Sequence, residues 1–316
     1  MLKIAVRLDE KKIDGSTASL REMLDYFQKL GIEAIEVPVH GLNVIRNGVL
    51  DRKLMREAVS IIQGYDFSYG IHAPDPVNLM HTVFGELHKS VLRSTLEFAS
   101  EINAPVVVCH AGQYISNNEF PMHHKSSITE DEQTHLLAVE AAALREVSME
   151  FPSITIAVEN ARPYLMHSPY CYAERTEALR RQIFHVAREN VGVTLDVGHL
   201  YLAAKLYGFD LIQELSHIED IIVHCHIHDN FGIPTYYHEK EQTHLLPFGR
   251  GDCHMPVGWG EIPIGQILSR FIAGFEGMLV LELRGRYHDA IQESVEMVTS
   301  MCLDFEGIWH RSAMGE

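Results

Sequence analysis

Cysteine is scarce in this chain of 316 residues: there are five, Cys109, Cys171, Cys225, Cys253 and Cys302, widely spaced and never arranged as CxxC. An odd, scattered set argues against a disulfide framework and against a thiolate zinc site, and leaves reduced thiols. Basic residues are the second deficit. With 26 Lys and Arg against 43 Asp and Glu the formal net charge is −17, a surface that repels polyanions, so duplex DNA is not the expected partner. Long apolar runs are missing too. None approaches the roughly 18 residues that cross a bilayer, which excludes a helical membrane span. The opening MLKIAVRLDEKK reads as a strand and a charged turn without the zones of a signal peptide, so the expected location is the cytoplasm. No linker rich in Gly, Ser or Pro and no low-complexity segment divides the chain, and one domain over residues 1–316 is expected.

What is present is a regular alternation of short β-branched runs with longer amphipathic stretches. The strand candidates are LKIAVRL (2–8), AIEVPV (34–39), FSYGIHA (67–73), PVVVCHA (105–111), ITIAVEN (154–160), VGVTLDV (191–197), IIVHCHIHD (221–229) and MLVLELR (278–284). Strands separated by helices pair in parallel through right-handed crossovers, and eight such rounds predict a single closed (β/α)8 TIM barrel of the α/β class. An open doubly wound sheet would show a Gly-rich phosphate turn after the first strand, and RLDEKKIDGS is no GxGxxG. Three connections are long: 112–128, 161–176 and 230–262. Each follows a strand and therefore falls on the barrel face where catalytic loops collect.

Histidine is abundant, at 20 residues, and many of them close strands. The third candidate ends with His72, the fourth with His110, the fifth with Glu159, the sixth with Asp196, the seventh carries His226 and the eighth Glu282. Side chains alternate along a strand, so each of these shares a face with the residue two positions back and points into the mouth of the barrel. His199 follows Asp196 by three residues, and the loop GRGDCHMPVGWGEIP adds Asp252 and His254. Five imidazoles and four carboxylates buried at one end are costly unless a cation lies between them. Nitrogen and oxygen donors without thiolate favour zinc or manganese, and nine donors exceed what one ion takes, so two or three ions are expected. Three divalent ions against four carboxylates leave a locally positive pocket suited to a phosphate or an enediolate.

Other residues carry two readings each. His224 and His228 share the face of His226 and are either ligands or core histidines that orient ligands or substrate. Glu36 binds a substrate hydroxyl or satisfies backbone groups in the mouth. Tyr236, Tyr237 and Trp259 are stacking candidates for a sugar ring, or simply fasten their loop. Arg250, Arg284 and Arg286 are candidates for anion contact, the alternative being ion pairs with the abundant acids. His238 and His244 read as polar tips of a lid or as plain exposed loop, His123 and His124 as solvated surface, and Cys253 as a spacer between two ligands.

LGIEAIEVP, HIHDN and DCHMPVGWGEI, together with the nine strand-end residues, resemble the xylose isomerase-like TIM-barrel superfamily, also called AP endonuclease family 2, over essentially the whole chain. The resemblance to its endonuclease IV branch implies a trinuclear zinc cluster held by His72, His110, Glu159, Asp196, His199, His226, Asp252, His254 and Glu282. Resemblance to its sugar epimerases implies one metal ion held by Glu159, Asp196, His226 and Glu282, with the two glutamates exchanging a proton. The chain departs from the endonucleases where they place an aromatic wedge three residues after the first histidine, having Asp75 and Pro76 instead. It departs from both branches in the length of 230–262, whose tyrosines and histidines are suited to roof a small pocket, and no arginine matches the one epimerases carry near the last motif. The reading that follows is a metal-dependent sugar or sugar-phosphate isomerase or epimerase with Glu159 and Glu282 as the acid/base pair, and Glu36, His228, Trp259 and Arg284 around the substrate. The alternatives are a metal-cluster phosphoester hydrolase and a barrel that binds a sugar-like ligand without turnover.

Overall fold

A computed structural model describes residues 2–122, 128–239 and 243–313. Eight parallel strands close a barrel: β1 Lys3–Arg7, β2 Ala34–Pro38, β3 Ser68–His72, β4 Val106–His110, β5 Thr155–Glu159, β6 Val191–Asp196, β7 Ile222–Ile227 and β8 Met278–Leu281. Each strand pairs with its neighbours in sequence and β8 returns to β1. The observed strands fall inside the predicted runs. β8 stops short of the expected end, so Glu282 lies one residue beyond it, although its N–H still donates to the Ile227 carbonyl at 3.2 Å and continues the ladder.

Helices α1 Thr17–Lys29, α2 Arg52–Ile62, α3 Gly85–Glu101, α4 Glu130–Glu150, α5 Thr176–Val186, α6 Val197–Tyr207, α7 Ile264–Phe271 and α8 Ile291–Ala313 form the outer shell. Their starts are written in the sequence: Ser16 caps α1, Asp51 caps α2, and Thr129 with Glu132 forms a reciprocal capping box on α4. Among the described residues no helix is long and apolar enough to cross a membrane.

Two kinds of core hold the barrel. Between strands and helices lies a large aliphatic layer including Leu24, Phe27, Ile35, Leu96, Ile156 and Leu195. Inside the barrel Ala5, Ala34, Met278 and Val280 fill one side and Val106, Val108 and Ala157 the other, with the buried His224 ring beside Gly70. Gly70 belongs to this layer, since a Cβ there would already press on Met278 and Val106 at 3.3 Å. With the interior closed by apolar groups, the residues one step further along each strand form the polar mouth. Register fixes their neighbours: His110 lies opposite Glu159, and Asp196 opposite His226.

The described parts of the three long connections lie against one another. Tyr114 N–H donates to the Tyr170 carbonyl and Leu165 N–H to the Thr235 carbonyl, both at 2.9 Å. Phe120, Tyr164, His167, Tyr170 and Tyr237 form an edge-and-face aromatic cluster that joins all three.

Beneath this cluster Glu140 of α4 ties the chain leaving β4 to the helical shell. It accepts from Gly112 N–H at 2.6 Å and from Gln182 Nε2 at 2.8 Å. Burial pushes its carboxyl up to about 7 in spite of those bonds. The native state thus holds this proton more tightly than the unfolded chain. The stability it contributes is complete below about pH 4.5 and is lost as the pH rises through about 7. Glu140→Gln should flatten the fall in unfolding free energy over that range by ~2–3 kcal/mol relative to the parent. Parallel urea titrations at several pH values measure it; identical slopes in both proteins would contradict the assignment.

Candidate functional site

Four imidazoles at the barrel mouth are oriented in the same way. Their Nδ1 atoms lie against backbone carbonyls: His72 on Ala73 at 2.7 Å, His110 on Asp75 at 3.1 Å, His199 on Asn160 at 2.9 Å and His254 on Glu282 at 2.8 Å. A carbonyl only accepts, so Nδ1 carries the proton and Nε2 presents its lone pair to the mouth. There Nε2 of His72 and of His110 lie 3.4 and 3.5 Å from Glu159 Oε2. Nε2 of His199 and of His254 lie 3.4 and 2.7 Å from Asp252 Oδ2.

His226 is turned the other way. Its Nε2 donates to Glu36 Oε2 at 3.1 Å, and its Nδ1 faces Glu282, Glu159 and Asp196 oxygens at 3.3, 3.7 and 3.9 Å. Glu36 is fully buried and lies within 3.2 Å of His224 as well. Its position supports His226 from behind rather than a substrate in front. Burial pushes the Glu36 carboxyl up, yet the facing His226 and His224 hold it well below the usual range. His228 also lies behind the mouth, with Nε2 3.1 Å from Asp196 Oδ2 and its ring stacked on His254 at 4.0 Å. It occupies a cradle left by Gly198, where a Cβ would approach its Cε1 to 2.0 Å.

Local structure explains how these groups arrive together. Asp196 ends β6 and caps α6 by accepting from His199 N–H at 2.7 Å, so one carboxylate fixes the residue three positions on. Asn160 accepts from Asp196 N–H at 2.7 Å and donates to the Asp196 carbonyl at 3.0 Å, locking the two strand ends together. Asp229 accepts from the N–H groups of Gly258, Gly260 and Ile262, which folds 255–262 back onto β7. At Gly260 a Cβ would come within 2.4 Å of that carboxylate. His254 adopts φ of +45°, a backbone state that non-glycine residues avoid and that the surrounding loop must enforce.

Two arginines that the sequence reading passed over enter the same space. Arg7, the last residue of β1, forms a close ion pair with Glu282 and lies 4.0 Å from both Glu36 and Asp75. Arg162, three residues after Glu159, forms a close ion pair with Asp252 and donates to Tyr164 Oη at 2.7 Å. For Arg7 the position is the signal: it closes the one strand that carries no other candidate.

The donor set fits a divalent cation. Glu159 Oε2, His226 Nδ1 and Asp252 Oδ1 are buried without a hydrogen-bond partner, an expensive arrangement that a cation relieves. Three-donor groups with ligand atoms within 4.8 Å of one another include Glu159–Asp196–His226, His72–His110–Glu159, His72–His226–Glu282 and His228–His254–Glu282. Burial pushes the Glu159 and Asp252 carboxyls up, but the imidazoles facing both, and Arg162 facing Asp252, hold them well below their ordinary range. The imidazoles divide: burial keeps His110 and His254 low, whereas the facing carboxylates raise His72, His199 and His226 against burial.

Residues 24–301 match the family model described as xylose isomerase-like TIM barrel. The chain belongs to that family. Among its relatives is the uncharacterized protein MJ1311 of Methanocaldococcus jannaschii, 23% identical over 92% of this chain and 89% of that protein. A D-tagatose 3-epimerase-like protein superposes with a TM-score of 0.68 at 19% identity, covering 96% of this chain and 98% of its own. Endonuclease IV from Thermus thermophilus superposes with a TM-score of 0.61 at 17% identity, covering 96% and 99%. At these identities the likeness within the xylose isomerase-like family is one of fold.

A pocket of about 700 Å³ opens above the cluster, lined among others by Arg7, His110, Arg162, His199, His254 and Glu282. Arg284 and Arg286 also line it; Arg250 does not, and is paired with Glu239 at 2.8 Å. Trp259, expected near the substrate, is placed elsewhere: its ring is half exposed and its Nε1 donates to Glu293 of α8 at 3.2 Å. Glu36 and His228 are likewise absent from the lining. Nor do the aromatics of 230–262 roof the pocket. Tyr236 stacks on His238, Tyr237 joins the aromatic cluster, and His244 is exposed. Among the described residues of that connection only Asp252 and His254 reach the pocket wall, while Cys253 turns its thiol to the Gly251 carbonyl at 3.2 Å. His123 and His124 lie outside the described residues.

Adding Mn2+ or Zn2+ to chelator-treated protein should raise its melting temperature by several degrees, because binding to the folded state alone stabilises it. His226→Ala should remove most of that gain and Trp259→Ala none of it. Differential scanning calorimetry decides this, and equal gains in both variants would show that the ion binds elsewhere.

Proposed function

We propose that this protein is a divalent-metal-dependent isomerase or epimerase of sugars or sugar phosphates, acting as one domain. One observation carries the reading: Glu159 and Glu282, from barrel positions three strands apart, both face the unpartnered Nδ1 of the buried His226, with Asp196 completing the ring. Glu159, Asp196, His226 and Glu282 would hold the ion. The ion, when bound, supplies positive charge that polarises adjacent substrate oxygens and stabilises negative charge developing on them.

The remaining chemistry belongs to the chain. A carboxylate on each side of the substrate carbon is what proton exchange needs: one removes the proton, and the other returns one to the opposite face or the same carbon's neighbour. The two glutamates are differently supported, Glu159 by imidazoles and Glu282 by Arg7. Arg7 holds Glu282 ionised against burial, which fits it to accept a proton. Apolar barrel packing lies beneath the pocket, and residues of the loops that follow the strands line its sides.

A second reading, phosphoester hydrolysis, is favoured by the donors beyond this ring, namely His72, His110, His199, Asp252 and His254, which an epimerase site does not require. Against duplex DNA as its substrate stand the net charge of −17 and the half-exposed Asp75 on the pocket rim.

In heavy water, the metal-loaded enzyme should wash deuterium into at least one member of a panel of ketoses and ketose phosphates. Glu282→Gln should slow that exchange by roughly 10²-fold or more while the far-ultraviolet circular dichroism is unchanged. No exchange across a broad panel, together with nicking of an abasic oligonucleotide that disappears in His110→Ala, would transfer the assignment to the hydrolase reading.

A further inference from the structure

Five cationic side chains line the pocket: Arg7, Lys11, Arg162, Arg284 and Arg286. Arg7 and Arg162 are committed to Glu282 and Asp252. The other three have no carboxylate within ion-pair distance among the described residues, in a chain where acids outnumber bases by 43 to 26. Asp9, Glu10 and Asp75 share the pocket wall with them. Asp9 accepts from the N–H groups of Lys11 and Lys12 at 2.9 and 3.2 Å, and Glu10 faces Arg7 at 3.8 Å.

These three cations belong to two turns in direct contact. Gly285, between the two arginines, lies so close to the turn after β1 that a Cβ would come within 2.1 Å of Asp9 Oδ2. Arg284 is fixed there, its backbone N–H donating to the His254 carbonyl at 3.2 Å and its Nη2 to the Asp252 carbonyl at 3.3 Å. Arg286, an exposed residue, lies over the Tyr287 ring at 5.8 Å, and Lys11 is exposed on the facing turn. Unpaired guanidiniums held in place at a pocket rim are a binding device, because their planar forks match the oxygens of a phosphoryl group.

We infer that the ligand of this pocket is phosphorylated, its phosphate monoester held at the outer rim by Arg284 and Arg286 with Lys11 opposite, and its sugar carbons directed to the carboxylates below. The inference rests on the isomerase reading for its sugar and deepens it by choosing the phosphorylated class. A cavity of about 700 Å³ is ample for a sugar phosphate.

The test is calorimetric titration of the manganese-loaded protein with two pairs of probes, D-ribulose with its 5-phosphate and D-fructose with its 6-phosphate. In at least one pair the phosphorylated form should bind ~10-fold or more tightly than the free sugar, the range expected of charge-assisted hydrogen bonds. Arg286→Gln and the Arg284→Gln/Arg286→Gln double variant should bring that ratio towards one, and Arg286→Lys should retain part of it. A ratio near one in the parent protein, a ratio that survives the double variant, or binding of no probe overturns the inference. Deuterium exchange into a free ketose without phosphate preference would remove this subsite and leave the isomerase reading standing; phosphate preference without any exchange would do the reverse.

Discussion

Glu159, Asp196, Asp252 and Glu282 are buried at one end of a barrel whose interior below them is apolar, and carboxylates in such a place are costly by several kcal/mol each unless positive charge is brought to them. The arrangement of the mouth follows from that requirement. His72, His110, His199, His226 and His254 each present a nitrogen to one of these carboxylates, and the guanidiniums of Arg7, at the end of β1, and of Arg162 add to them. The closed barrel makes the concentration of charge achievable, because parallel register sets the strand ends side by side and apolar layers on both sides fix them.

A second layer decides which atoms face inwards. Backbone carbonyls of Ala73, Asp75, Asn160 and Glu282 take one nitrogen of four histidines, and Glu36 takes one nitrogen of the fifth. Gly198 leaves room for His228 behind Asp196, and Asp229 gathers three loop amides so that Asp252 and His254 can reach the cluster. Groups held by their neighbours in this way are pre-organised for a cation or for proton transfer. The left-handed backbone of His254 is the local cost of that placement.

Much of this is legible in the sequence because period-two alternation determines which face a strand residue occupies. His72, His110, Glu159, Asp196 and His226 all belong to runs whose side chains alternate in this way, and the structure brings them to one mouth. The loops are where reading the sequence stops. Whether Trp259 or Arg286 faces the pocket depends on how 255–262 folds onto Asp229 and how Gly285 meets Asp9, contacts between segments far apart in the chain. Glu36 shows the same limit from the other side: its strand position is evident, but the choice between substrate and His226 depends on β7, which lies beyond β1 and β8 around the closure. The donor count that suggests two or three ions, and the charge sum built on it, omit Arg7 and Arg162, which pair with Glu282 and Asp252.

The central claim is that a cation, rather than direct hydrogen bonding alone, unites these side chains. Anomalous diffraction from crystals grown with manganese tests it most directly. The account predicts a strong anomalous peak among Glu159, Asp196, His226 and Glu282, with His226 ligating through Nδ1 and its Nε2 still on Glu36. A map with no peak there, in which His226 Nδ1 is bonded to a carboxylate or to water, would contradict it.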